Sequence, residues 1–142
     1  MGLDMYLYGD KSRFRHSAHP DKEMPSEDGF RVHSTTLSIG YWRKHPNLHG
    51  YIVQNFADGK DECQRIPLTA DDLRKIRDAV FDDKLPDTSG FFFGQSARPG
   101  DDWYDNQLQH DNKVLTDAIN WLEAEQPEDE INYRQVYYEA SW

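Results

Sequence analysis

His49, Asp61 and Cys63 are the residue types of a base, an orienting acid and a thiol nucleophile. Such a set works only if a cation stabilises the thiolate and the imidazole lies within hydrogen-bond reach. Nearness in sequence supplies neither, so a buried structural cysteine is the expectation. His16, His19 and Asp21 have the look of a metal pair, because imidazoles three apart can share one face of a helix. Pro20 follows His19 at once and no helical period surrounds it, so a solvated loop without a metal is expected there.

Tyr41-Trp42-Arg43-Lys44, with His49 close behind, joins two aromatics to two cations. That set can hold an anion or stack on a planar group. The competing reading buries Trp42 in the core and pairs Arg43 and Lys44 with the many acids. Asp101-Asp102-Trp103-Tyr104-Asp105 places acids where a helix starts, which is ordinary capping. Trp103 and Tyr104 ringed by charge also have the make-up of a protein-binding hot spot. In Ser89-Gly90-Phe91-Phe92-Phe93-Gly94, successive rings cannot all face one side of a strand. Either the run is buried on both faces, or part of it forms an aromatic surface beside a glycine turn. No G-x-x-x-x-G-K-[ST] or G-x-G-x-x-G occurs, so the common nucleotide folds are excluded and no cofactor is expected.

The elements that must position these groups are legible in part. Leu3, Met5 and Leu7 alternate with Asp4, Tyr6 and Tyr8, which predicts a strand with an aromatic second face. Residues 11–33 read as a long loop. Thr35, Leu37, Ile39 and Tyr41 mark a second strand. Pro46 opens a helix with Leu48, Ile52 and Phe56 on one face, although Gly50 weakens it by about 1 kcal/mol relative to alanine. Asp58-Gly59 is a turn, and Cys63 to Ile66 a short strand. Thr69 caps the clearest helix, with Asp71 and Asp72 in its first turn, a staple between Leu68 and Leu73, and a stripe of Leu73, Ile76 and Val80. Asp71 and Lys75 are spaced to pair. A third helix follows Asp101, carrying Tyr104, Leu108, Leu115, Ile119 and Leu122 inward. Asp111 interrupts that stripe as a solvent-edge residue or a paired buried acid. Val136 to Trp142 is a final strand, with Trp142 tucked into the core. The sum is one α+β domain over residues 1–142, a mostly antiparallel sheet with about three helices on one face.

Composition narrows the function classes. The chain has 142 residues, 26 acids against 16 bases, and a net charge of −10. Nucleic acid and anionic membrane both demand a basic footprint, so direct binding to either is not expected. An aromatic share of 13% supplies core material although hydrophobic residues make up only 37%. One cysteine, Cys63, permits no internal disulfide, and no membrane-length apolar run or signal peptide is present; a reducing, cytoplasmic setting is the expectation.

Met1-Gly2-Leu3-Asp4-Met5-Tyr6-Leu7, Gly40-Tyr41-Trp42-Arg43-Lys44, His49, Asp58-Gly59 before Asp61-Glu62-Cys63, Asp87 to Gly94, Trp103-Tyr104 and Ala140-Ser141-Trp142 occur in this order. Together they resemble a family of small proteins of tailed bacteriophages and prophages without an established function. Some of its members carry the label phosphoglycerate kinase. A chain this short, lacking a glycine phosphate loop, does not suit a two-domain kinase. The resemblance implies an accessory protein acting in the bacterial host cytoplasm. The leading expectation is an acidic interaction module, binding a host or phage protein through a basic surface on that partner, with carboxylates imitating nucleic-acid phosphates. The alternative is a small-ligand binder or enzyme using Tyr41, Trp42, Arg43, Lys44, His49 and Asp61 beneath Phe91, Phe92 and Phe93. A structural subunit or homo-oligomer is the third.

Overall fold

The computed structural model describes residues 2–13, 26–126 and 132–142. Alternation sets the first strand, β1 (Asp4–Arg13). Leu3, Met5 and Leu7 are at most 1% exposed, while Tyr6 and Tyr8 face the other way. Pairing with β4 (Ser34–Arg43) and β6 (Asn132–Ser141) extends β1 well past Tyr8. The segment expected as one loop therefore contains the end of β1 and a small antiparallel pair, β2 (Ser26–Glu27) and β3 (Phe30–Arg31). Asp28 and Gly29 turn that pair with positive φ. His16, His19 and Asp21 lie outside the described residues.

A bulge at Ile39 corrects the expected phase of the second strand. The register slips between Leu7/Gly40 and Tyr8/Ser38, leaving Ile39 unpaired. A slip of one residue exchanges the two faces. Leu37 sits opposite Gly9 on one side of the bulge, but beyond it Gly40 and Trp42 turn inward and Tyr41 outward. Both Gly9 and Gly40 are needed where helical side chains press on the sheet. A Cβ at Gly9 would strike Trp121, and one at Gly40 would strike Val114.

α1 (Pro46–Phe56) starts at its proline and buries Leu48, His49, Ile52 and Val53. Gly50 has a packing reason: a Cβ there would collide with the Thr88 side chain. Asp58 and Gly59 turn the chain with φ of 53° and 75°. The following strand, β5 (Ile66–Leu68), begins later than expected, because Cys63 sits in the left-handed region at φ 56° and cannot extend a ladder.

α2 (Ala70–Phe81) carries the full reciprocal cap, with Asp72 N–H donating to Thr69 Oγ1 at 3.1 Å and Thr69 N–H donating to Asp72 Oδ2 at 3.0 Å. Asp71 pairs with Arg74 at 2.9 Å, not with Lys75. α3 (Tyr104–Glu123) lies antiparallel to α2, since Arg74 meets Glu123 and Arg77 donates to Thr116 at 3.3 Å. The sheet order is β4-β1-β6-β5, antiparallel throughout. With three helices on one face, the protein is a single α+β domain. Tyr138, Leu48, Ile52, Leu73, Ile76 and Leu115 are almost wholly buried between the layers. Each such aliphatic side chain contributes about 1.5–3 kcal/mol.

Candidate functional site

The N-terminus of α1, the ends of β4 and β6, the C-terminus of α2 and the N-terminus of α3 gather at one end of the molecule. Segment 82–103 closes that end. It contains the triple phenylalanine run, which is irregular backbone and not a strand. Phe93 is 6% exposed, whereas Phe91 is 83% and Phe92 50% exposed. Phe92 at φ 63° and Gly94 at φ 74° bend the chain so that Phe93 turns inward while the Phe91 and Phe92 rings stay together outside, 4.1 Å between centroids. The second of the two expected outcomes, a partly exposed aromatic surface, is the one found.

Two buried histidine relays occupy this end. In the first, His45 precedes α1 and is 2% exposed. Its Nδ1 lies 2.7 Å from Ser96 Oγ and its Nε2 2.9 Å from Asp111 Oδ2. Trp42 donates its ring N–H to the other oxygen of Asp111 at 2.8 Å. Ser96 Oγ also accepts the backbone N–H of Asn47 at 3.0 Å, which caps α1 from across the fold. The interruption of the α3 stripe is thus a paired buried acid: Asp111 is 1% exposed. Sequence reasoning singled out Trp42 and Asp111 separately and missed His45 and Ser96. A histidine directly before Pro46 was the only available signal; nothing marked Ser96.

In the second relay His49 Nδ1 lies 2.6 Å from Tyr138 Oη and Nε2 2.9 Å from Asp61 Oδ2. Trp142 donates its ring N–H to Asp61 at 3.1 Å, and Phe93 stands edge-on to both His49 and Trp142. Burial first, then the charges of Asp61 and Cys63, hold the Tyr138 phenol well above its ordinary range. His49 and Asp61 meet as the triad idea requires, but both imidazole nitrogens are occupied, so neither is free to serve Cys63. Trp142 is 52% exposed and clamps Asp61 instead of entering the core.

The pocket expected from Tyr41, Trp42, Arg43, Lys44 and His49 is split by the sheet. Trp42 and His49 point to the helical side. Tyr41 and Arg43 stand on the opposite face, where both bond Asp4, at 2.5 Å and 2.9 Å. These bonds hold the Asp4 carboxyl below its usual range, the Tyr41 contact first, and raise the Tyr41 phenol. Tyr41, Tyr6, Tyr8 and Tyr137 continue as a stripe of ring contacts across that face, ending under the Arg65 guanidinium. The Lys44 stem packs near Gly2 and Gly94.

Two cavities, of about 280 Å³ and 380 Å³, open beside the first relay. Ser96, Asn47, Asp87 and Arg98 line both. The smaller also reaches His45, Asp111, Tyr104 and Gln107. Gln107 clamps the Ala97 backbone, accepting its N–H at 2.9 Å and donating to its carbonyl at 3.3 Å, which fixes Ser96 from the side of α3. Arg98 donates to Asp87 at 2.8 Å at the rim.

Asp83 lines the smaller cavity just past the end of α2, with Asp82 and the 51% exposed Phe81 before it, and exposed Asp101, Asp102 and Asp105 flank the 48% exposed Trp103 at the start of α3. Asp83 from the end of α2 and Asp105 from the start of α3 act on one phenol: burial, then Asp83, Asp105 and Asp111, raise the Tyr104 hydroxyl. Asp82, Asp83, Asp102 and Asp105 have no ion-pair partner among the described residues. Trp103 serves as the N-terminal boundary of α3 without a side-chain cap; of the expected acids Asp105 stands in the first turn, where the helix dipole favours it, and Asp101 caps the preceding loop by accepting Arg98 N–H at 2.8 Å. Among the described residues no group of three metal-ligating side chains converges, and no helix is long and apolar enough to cross a membrane. Protein-family models, curated proteins and solved structures alike return no match to this chain, so the site's chemistry is read from its own geometry.

Proposed function

We propose that this chain is an acidic interaction module that binds a basic surface on a partner protein and modulates it. The observation that carries this reading is the rim where α2 ends and α3 begins. Phe81 and Trp103 stand out as apolar anchors among Asp82, Asp83, Asp101, Asp102 and Asp105. Hot spots pair a large aromatic anchor with surrounding polar groups that exclude water. Carboxylates free of internal partners keep their field for an incoming cation and speed encounter at low salt. A net charge of −10 makes the same preference general over the molecule. Carboxylates spaced along such a rim offer a basic groove what phosphates would. The resemblance to tailed-phage proteins supplies the source of the partner, a host or phage protein in the bacterial cytoplasm.

The test is capture from host lysate by the tagged chain, beside the double variant Phe81→Ser/Trp103→Ala. A protein partner recovered at low salt, lost at high salt and lost with the double variant supports the reading. Recovery of no specific partner, or capture indifferent to both changes, removes it.

A further inference from the structure

We propose that Ser96 is the nucleophile of an acyl-transfer site that takes small carboxylic esters in the cleft beside His45. Ser96 is 7% exposed and belongs to two contiguous arrangements: its hydroxyl starts a hydrogen-bonded chain running inward, and the residue lines two cavities running outward. The inward chain is Ser96 Oγ, His45 Nδ1, His45 Nε2, Asp111 Oδ2, with links of 2.7 Å and 2.9 Å. A carboxylate only accepts, so Asp111 selects the tautomer with its proton on Nε2. Nδ1 then presents a lone pair to Ser96, whose O–H donates to it. Trp42 holds the second oxygen of Asp111, at 2.8 Å, so the carboxylate cannot rotate away from the imidazole. This is the division of labour of a nucleophile, a base and an orienting acid. Here the two imidazole nitrogens exchange their customary places, which leaves the acid–base chemistry unchanged.

The position of Ser96 adds activation. Its oxygen accepts the Asn47 N–H at 3.0 Å at the start of α1, where unpaired N–H groups and the helix dipole favour negative charge. Charge developing on Oγ during proton transfer is therefore stabilised. The Gln107 clamp on Ala97 and the Arg98–Asp87 pair hold the two residues that follow the reacting serine. The 280 Å³ cavity that Ser96 and His45 both line offers room for a small acyl group.

The reaction balances without a further reagent but water. Ser96 Oγ forms a bond to the ester carbonyl carbon while its proton passes to His45 Nδ1. The tetrahedral adduct collapses, the C–O bond to the alcohol breaks, and His45 returns the proton to the leaving oxygen. Water, deprotonated by His45 in turn, cleaves the acyl-serine to the carboxylic acid and restores Ser96.

The full chain is treated with a fluorophosphonate probe, and adducts are located by intact mass and peptide mapping; 4-nitrophenyl acetate reports turnover. A single adduct on Ser96, with hydrolysis abolished in Ser96→Ala that remains folded although less stable for want of its bonds to Asn47 and His45, is expected. In Asp111→Asn the new amide donates to His45 Nε2 and forces the proton onto Nδ1. Labelling should then slow by roughly 10³–10⁴-fold, as for a relay left in the wrong tautomer. Folded wild-type chain without an adduct on Ser96 overturns the proposal, as does labelling of folded Asp111→Asn at the wild-type rate. Labelling of the wild type needs no variant to fold, so the first arm decides even if Asp111→Asn does not.

Discussion

Trp42 and Asp111 lie 69 residues apart and meet in a buried hydrogen bond of 2.8 Å that ties β4 to α3. Because His45 takes the other carboxylate oxygen, one acid serves two donors from the same strand-to-helix junction. Removing that acid leaves both donors buried and unsatisfied. Asp111→Ala should cost about 2–5 kcal/mol, since each buried neutral donor left without a partner costs about 1–3 kcal/mol. Urea unfolding checks this, and a loss below 1 kcal/mol contradicts it.

Gly50 and Thr88 form a second steric pair. Alanine at an ordinary helix interior position gains about 1 kcal/mol over glycine. Here the added methyl runs into the Thr88 side chain, so Gly50→Ala should lower stability instead. Pairing it with Thr88→Gly should recover part of the loss. Additive effects of the two changes in thermal melts would show that the collision is absent.

Burial first, then the charges of Asp61 and Cys63, hold the Tyr138 phenol well above the ordinary tyrosine range of about 10. A raised folded pKa means that the folded state holds the proton longer than the unfolded one. The contribution is complete below about pH 10 and is lost as pH rises from the unfolded toward the folded value. Tyr138→Phe removes this alkaline loss while surrendering the bond to His49. It should be about 1 kcal/mol less stable at pH 7 and show a flatter limb above pH 10. Parallel limbs in chemical denaturation across that range would refute it.

Neighbouring phenylalanines should differ sharply. Phe93→Ala empties a buried site against His49 and is expected to cost about 3–5 kcal/mol. Phe91, 83% exposed, should tolerate alanine within about 0.5 kcal/mol. Equal effects on the denaturation midpoint would contradict the loop geometry.

Local signals carried the elements whose cause is local. The Thr69 cap with Asp72, the alternation of Leu3, Met5 and Leu7, and Pro46 at a helix start each arise from groups a few residues apart. The errors fall where a distant contact decides. A bulge at Ile39 is set by β1, so the phase of Tyr41 was not legible in β4 alone. Cys63 is withheld from β5 by its backbone conformation, and Trp142 is drawn outward by Asp61. The site was half legible. Trp42, His49, Asp61 and Asp111 drew notice by type, but Ser96 joins His45 only through the path of segment 82–103, which no periodicity encodes.

The strand order places the first and last long strands side by side in the middle of the sheet. β1 therefore waits for β6, nearly the whole sequence later, before its second ladder can form. On a ribosome the helices and β4 can assemble early, while the central seam stays open until residues 132–141 emerge. Such distant pairing makes for slow closure, since the connecting chain's entropy is spent before the contact repays it.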